Sequence, residues 1–133
     1  SPGNRSAAIR IPAKRGNATR AELRTPDPTA NPYLLFAVML AAGLDGIKKG
    51  KRPPKAVNQN IYHLTEAESR KLKIGALPHN LASALDALEA DKVVCEALGE
   101  HIAEAYLAEK RGEWDRYKAQ VHQWEIDEYM ETF

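Results

Sequence analysis

Five charged residues near the N-terminus have the types and spacing to do chemistry. Arg5 and Arg10 lie in Asn4-Arg5-Ser6-Ala7-Ala8-Ile9-Arg10-Ile11-Pro12. Arg20, Glu22 and Arg24 lie in Arg20-Ala21-Glu22-Leu23-Arg24-Thr25-Pro26-Asp27-Pro28. Both stretches read as strands, along which side chains alternate between two faces. Ser6, Ala8 and Arg10 share one face; Ala7, Ile9 and Ile11 share the other. Arg20, Glu22 and Arg24 share a face opposite Ala21 and Leu23. Arginine beside carboxylate on one sheet face suits a nucleotide, a metal ion and an acidic substrate held together. A solvated surface hairpin has the same pattern, because most charged strand faces meet water.

Lys14-Arg15-Gly16-Asn17 separates the two stretches, and Gly-Asn is a turn signal. An antiparallel hairpin with one dry and one charged face is therefore predicted. Behind it the chain reads as helical. Asn31-Pro32 pairs an N-cap with a residue suited to the first helical position. Tyr33 to Leu44 is apolar on all sides, which predicts a buried helix packed behind the arginine-bearing sheet, with Gly43 and Gly46 marking its end. Residues 50–64 read as a loop. Thr65 and Glu68 fit a capping box. Asn80 starts a helix with Leu81, Leu85 and Leu88 on one stripe, and Asp91 caps a short helix ending before Gly99. Residues 100–121 form a long polar helix with Ile102, Tyr106, Trp114, Tyr117 and Val121 near one face. Ile126, Tyr129, Met130 and Phe133 follow at i, i+3, i+4, i+7 spacing. Trp114, Tyr117 and Trp124 are read as core rather than as ligand platforms.

At 133 residues, 44% apolar and 28% charged, the chain fits one globular domain. The lone Cys95, among Val93, Val94, Ala97 and Leu98, excludes an intrachain disulfide and reads as a buried structural thiol. The longest apolar run falls short of the roughly 20 residues a membrane span needs, no signal peptide is evident, and the cytoplasm is expected. The four histidines lack metal-ligand spacing, and no Gly-rich phosphate loop or nucleophile elbow occurs. Residues 1–55 carry eleven Lys and Arg against three Asp and Glu; residues 56–133 carry eight against fifteen. Five of the basic residues cluster between Lys48 and Lys55. With Pro53-Pro54 among them and no aromatic residue interleaved for base stacking, the cluster reads as a solvated loop rather than a nucleic-acid site.

The blocks NRSAAIRIP, RAELRTPDPTANPY and AGLDGIK resemble the C-terminal part of glutamine synthetases of the bacterial and archaeal dodecameric type. The resemblance continues through NQNIYHLTEAE, SALDALEAD, AYLAEKRGEWDRYKAQVH and WEIDEYM, and so covers essentially the whole chain. It implies an α+β fold: an N-terminal β-hairpin from the catalytic sheet (1–30, the active-site strands), then a mainly α-helical C-terminal region (31–133). Together these make residues 1–133 a single partial domain, a fragment of the catalytic domain.

The implied reaction joins ammonia to L-glutamate at the expense of ATP, through a γ-glutamyl phosphate, with Mg²⁺ or Mn²⁺ as metal. Negative charge accumulates where phosphates meet a carboxylate, and metal ions and arginines offset it. By the resemblance, Arg5 matches the arginine that reaches the transferring phosphate and substrate. Arg10 matches one that contacts the ATP phosphates, and Arg20 lies near the nucleotide. Glu22 matches a glutamate that ligates the nucleotide-side metal, a hard oxygen donor suited to such ions. Arg24 matches the arginine that contacts substrate glutamate and the γ-phosphate. The family's other metal ligands, ammonium site and gating loop precede the matched region, so the chain alone is expected to be inactive and to bind ATP weakly at best.

Two departures concern regulation and the tail. Relatives adenylylated on tyrosine carry Asn-Leu-Tyr-Asp-Leu-Pro; here the stretch is Asn60-Ile61-Tyr62-His63-Leu64-Thr65, and RGNATRAELRTPDPTANPY resembles more the branch that is not adenylylated and answers to glutamine feedback, so Tyr62 is read as unmodified. Gln123 stands where proline is common. The apolar tail stripe is compatible with docking of a transcription regulator or with subunit packing in a homo-oligomer. The alternative from another class is a non-catalytic helical module that binds a protein partner or nucleic acid.

Overall fold

The structure, a computed structural model, describes residues 4–131. Ser1 and the tail residue Phe133 lie outside the described residues. The chain divides into two compact units, Ser1–Ala76 and Leu77–Phe133.

In the first unit, β1 (Ile9–Arg10) pairs antiparallel with β2 (Glu22–Leu23). Ile9 stands opposite Leu23 and Arg10 opposite Glu22. The Arg24 amide extends the ladder by donating to the Ala8 carbonyl at 2.9 Å. A 3-10 turn at Gly16–Ala18 reverses the chain, entered through Gly16 at φ +70°, where a side chain would be strained. The hairpin and its charged face are as predicted, but its other face is not dry. Ile9 is 58% exposed and Ile11 48%. A ribbon of two short strands has no second layer against which to bury a face.

Helix α1 (Pro32–Lys48) starts as the sequence dictates, with the Asn31 carboxamide oxygen accepting from the amides of Tyr33 and Leu34. It runs through Gly43 and Gly46, since glycine costs a helix only about 1 kcal/mol and does not break it. The stop lies at Gly50, φ +60°: the Gly50 amide bonds Ile47 O and the Lys51 amide bonds Gly46 O, a Schellman pair. The predicted burial of α1 is overturned. Tyr33, Phe36, Leu40 and Ile47 are exposed, while Leu34, Leu35, Val38 and Met39 are half-buried. An all-round apolar helix needs cover on every side, and among the described residues no strand or helix packs along it.

A 3-10 turn at Ile61–His63 interrupts the expected loop. Helix α2 (Glu66–Lys71) carries the predicted capping box, Thr65 Oγ1 accepting from the Glu68 amide and Glu68 Oε2 from the Thr65 amide.

The second unit is helical: α3 (Leu81–Ala90), α4 (Lys92–Leu98), α5 (Glu100–Lys118) and α6 (Gln123–Tyr129). Asn80 caps α3 and Asp91 caps α4, as predicted. Helices α3, α4 and α5 pack on one another around Leu85 and Ala103, the two buried apolar residues of this unit among those described. Small Ala103 lets the helices approach closely. The face of α5 turned inward carries Ala103, Leu107 and Trp114 with the stems of Lys110 and Arg111, all buried or half-buried. The predicted stripe is therefore rotated: Ile102, Tyr106, Tyr117 and Val121 are exposed, as is Trp124 on α6. Long basic side chains cover apolar surface with their methylenes, so they substitute for apolar residues on a packed face. Cys95 is half-buried, its Sγ donating to Leu88 O at 3.1 Å.

Candidate functional site

The hairpin register decides which charges meet. Arg10 and Glu22, twelve residues apart in sequence, form a cross-strand pair on one face. Arg10 Nε donates to Glu22 Oε2 at 2.8 Å and its Nη2 to Oε1 at 3.3 Å, a two-point fork that fixes both groups in one plane. Arg20, two residues before Glu22 and so on the same face, closes on Oε1 with Nε at 2.9 Å and Nη2 at 2.6 Å. Both carboxylate oxygens are thus engaged by guanidinium groups. Glu22 and Arg10 are half-buried, whereas Arg20 is half-exposed. Hydrogen bonding to Arg10 is the largest influence on the Glu22 carboxyl and holds it below its ordinary 4.5; partial burial opposes this and Arg20 adds to it.

Arg24 is carried to the same face by the alternation and by its amide bond to Ala8. The small Ala8 opposite leaves its guanidinium exposed. Arg5 precedes β1 and is also exposed. Neither guanidinium has a hydrogen bond or ion pair among the described residues. The structure therefore brings Arg10, Arg20 and Glu22 into contact, places Arg24 beside them on the ladder, and sets Arg5 on the segment leading into β1.

Glu22 offers hard oxygens suited to Mg²⁺ or Mn²⁺. Among the described residues no group of three His, Cys, Asp or Glu side chains converges. Glu22 fits such an ion as one ligand of a set: among the described residues Oε2 accepts a single hydrogen bond, from Arg10, and keeps a second lone pair.

Two residues of this region escape any reading of pattern. Asn4 is buried at 7% exposure. Its Nδ2 donates to Val57 O at 2.8 Å and Gln59 O at 2.9 Å, and its Oδ1 accepts from the Ser6 amide at 2.9 Å and the Ser6 hydroxyl at 2.5 Å. Ser6 Oγ in turn accepts from the Ile61 amide at 2.9 Å. Asn followed two residues on by a backbone donor is a recognisable turn former. The partners more than fifty residues away leave no such signature. Tyr62, beside this junction, is 82% exposed.

Comparison with known proteins identifies the family. Residues 1–129 match the family model described as glutamine synthetase, catalytic domain. The chain is 56% identical to the glutamine synthetase of Thermus thermophilus over all of its length and 30% of that protein's. It is 56% identical to that of Methanocaldococcus jannaschii over 96% of this chain and 28% of that one. A solved structure described as "Apo GmaS without ligand" superposes with a TM-score of 0.78 at 42% identity, over 96% of this chain and 28% of that chain. The chain thus spans about 30% of the length of the curated relatives it matches and corresponds to the C-terminal portion of a glutamine synthetase. With the hairpin, the helical region and the whole-length match in agreement, the chain belongs to the glutamine synthetase catalytic-domain family.

Proposed function

We propose that this chain supplies the arginine-lined part of the active site of an ATP-dependent ligase that makes L-glutamine from L-glutamate and ammonia. The single observation that supports it is the antiparallel register, which sets Arg10 against Glu22 and carries Arg24 to the same face. In this reading the γ-carboxylate oxygen of glutamate attacks the terminal phosphorus of ATP and ADP leaves. Ammonia then attacks the acyl carbon of the γ-glutamyl phosphate, loses a proton, and phosphate departs. Each step moves charge between phosphate and carboxylate oxygens, so preorganised cations lower both barriers.

Arg10 and Arg20 contact the ATP phosphates. Arg5 and Arg24, whose guanidinium groups are exposed, bind the transferring phosphoryl group and the substrate carboxylate. Glu22 contributes one ligand to Mg²⁺ or Mn²⁺, which when bound screens the phosphates. Residues 1–30 and 31–133 belong to one catalytic domain, and the enzyme works in the cytoplasm as a homo-oligomer, a dodecamer, without membrane or nucleic-acid partners. Among the described residues no helix is long and apolar enough to cross a membrane. The exposed Ile126, Tyr129 and Met130 of the tail suit a regulator or a neighbouring subunit.

In the assembled enzyme, Arg24→Ala should lower kcat by about a hundredfold or more with an unchanged circular-dichroism melt. Turnover at the parent rate would overturn the assignment. Glu22→Gln should raise the half-saturating Mn²⁺ concentration while leaving the glutamate KM near its parent value; an unchanged metal titration would remove Glu22 from the ligand set. The chain by itself should show no γ-glutamyl transfer, and measurable transfer would contradict the need for further ligands.

A further inference from the structure

We propose that Asn4 and Ser6 are the positioning residues of Arg5, clamping the main chain on both sides of it to the 57–61 segment. Arg5 itself is exposed, and its guanidinium has no partner among the described residues. An arginine in that state can be aimed only through its backbone, because its long side chain is free to sample many rotamers. Both flanking residues are tied down. Asn4 donates through its amide nitrogen to two carbonyls and accepts twice on its amide oxygen, four bonds to described residues. Ser6 donates to Asn4 and accepts from Ile61.

The spacing of the partners is the telling feature. Val57 O, Gln59 O and the Ile61 amide are at alternate positions of a segment that bends at Gln59, enters a 3-10 turn at Ile61 and belongs to no strand. Two side chains, Asn4 and Ser6, supply the hydrogen bonds there. Because Asn4 is buried, leaving its donors or their carbonyl partners unpaired is costly, so the junction closes as a unit. Displacement of the 57–61 segment is therefore passed directly to the backbone of Arg5.

The functional meaning rests on the phosphate-facing role given to Arg5 above, but the clamp is tested without it. In the isotope-labelled protein, Ser6→Ala removes the acceptor for the Ile61 amide. That amide should then exchange about tenfold faster or more. The Arg5 backbone order parameter should fall from about 0.85 toward 0.6. Ser6→Thr keeps the hydroxyl and should restore both. Asn4→Asp keeps the acceptor for Ser6 but loses both donors, and should loosen Arg5 further; if that variant fails to fold, the Ser6 pair decides. An Arg5 backbone that stays rigid in Ser6→Ala while Ile61 exchanges freely would overturn the proposal. So would an Ile61 amide that Ser6→Ala leaves unchanged. Inorganic pyrophosphate separates the two readings. It should shift the Arg5 Nε–H resonance of the parent protein, and less so in Ser6→Ala. A parent resonance that pyrophosphate leaves unmoved would refute the phosphate role of Arg5, with the order parameters still deciding the clamp.

Discussion

The two units hold themselves together by different means. The hairpin and loop unit is fastened by polar side chains: Asn4 and Ser6 reach the 57–61 segment, and two arginines grip Glu22. The helical unit is fastened by packing, with Leu85 at 2% exposure where α3, α4 and α5 meet. Its ion pairs, such as Arg111 with Asp86 and Glu89, lie at the exposed rim, where such pairs contribute little. The difference teaches that positional accuracy and burial come from different residues. The unit bearing the candidate chemistry is fixed by directional bonds, and the other by apolar contact.

Removing packing from the helical unit should have the largest effect. Leu85→Ala should cost about 2–4 kcal/mol, read as a lower denaturation midpoint of the helical signal. A loss below about 0.5 kcal/mol would erase the contrast, since surface substitutions cost that much.

A single cap in the other unit should cost less. Thr65→Ala removes the acceptor for the Glu68 amide and should cost about 1 kcal/mol, seen as faster amide exchange in α2. Retained protection there would show that the cap is dispensable.

The smallest effect should come from mild acid. Hydrogen bonds from the Thr65 amide and hydroxyl hold the Glu68 carboxyl below its ordinary 4.5. The folded value lies below the unfolded one, so this cap contributes fully above the ordinary range and is lost as pH falls through the lowered value. A carboxyl NMR titration should therefore give Glu68 a midpoint below 4.5; a midpoint at or above it would mean the box is not closed in solution.

What the sequence made legible was local. Asn31, Thr65, Asn80 and Asp91 announce helix starts because a cap and its amides lie within three residues of each other. The hairpin face was legible because strand alternation is fixed by geometry. Burial was not, because it depends on what lies across from a face. Tyr33 to Leu44 has the composition of a core helix, yet composition does not supply a neighbour. The α5 stripe was misread because Lys110 and Arg111 cover apolar surface that Ile102 and Tyr106 would have been expected to fill. Neither the Asn4 clamp nor the closure of Arg20 onto Glu22 is a matter of periodicity. The first joins residues 53 and 55 positions apart, and the second needs the Arg20 side chain, from just before β2, to reach forward along the chain to Glu22.

The grip on Glu22 has a kinetic corollary. Arg10 and Arg20 share the one acid Glu22, and Arg5 and Arg24 have no ion pair among the described residues, so these four arginines outnumber that acid by three. Such a surplus draws polyanions inward from beyond contact range. Their capture should then be faster than unsteered diffusion allows, and should slow steeply as added electrolyte shortens the reach of the field.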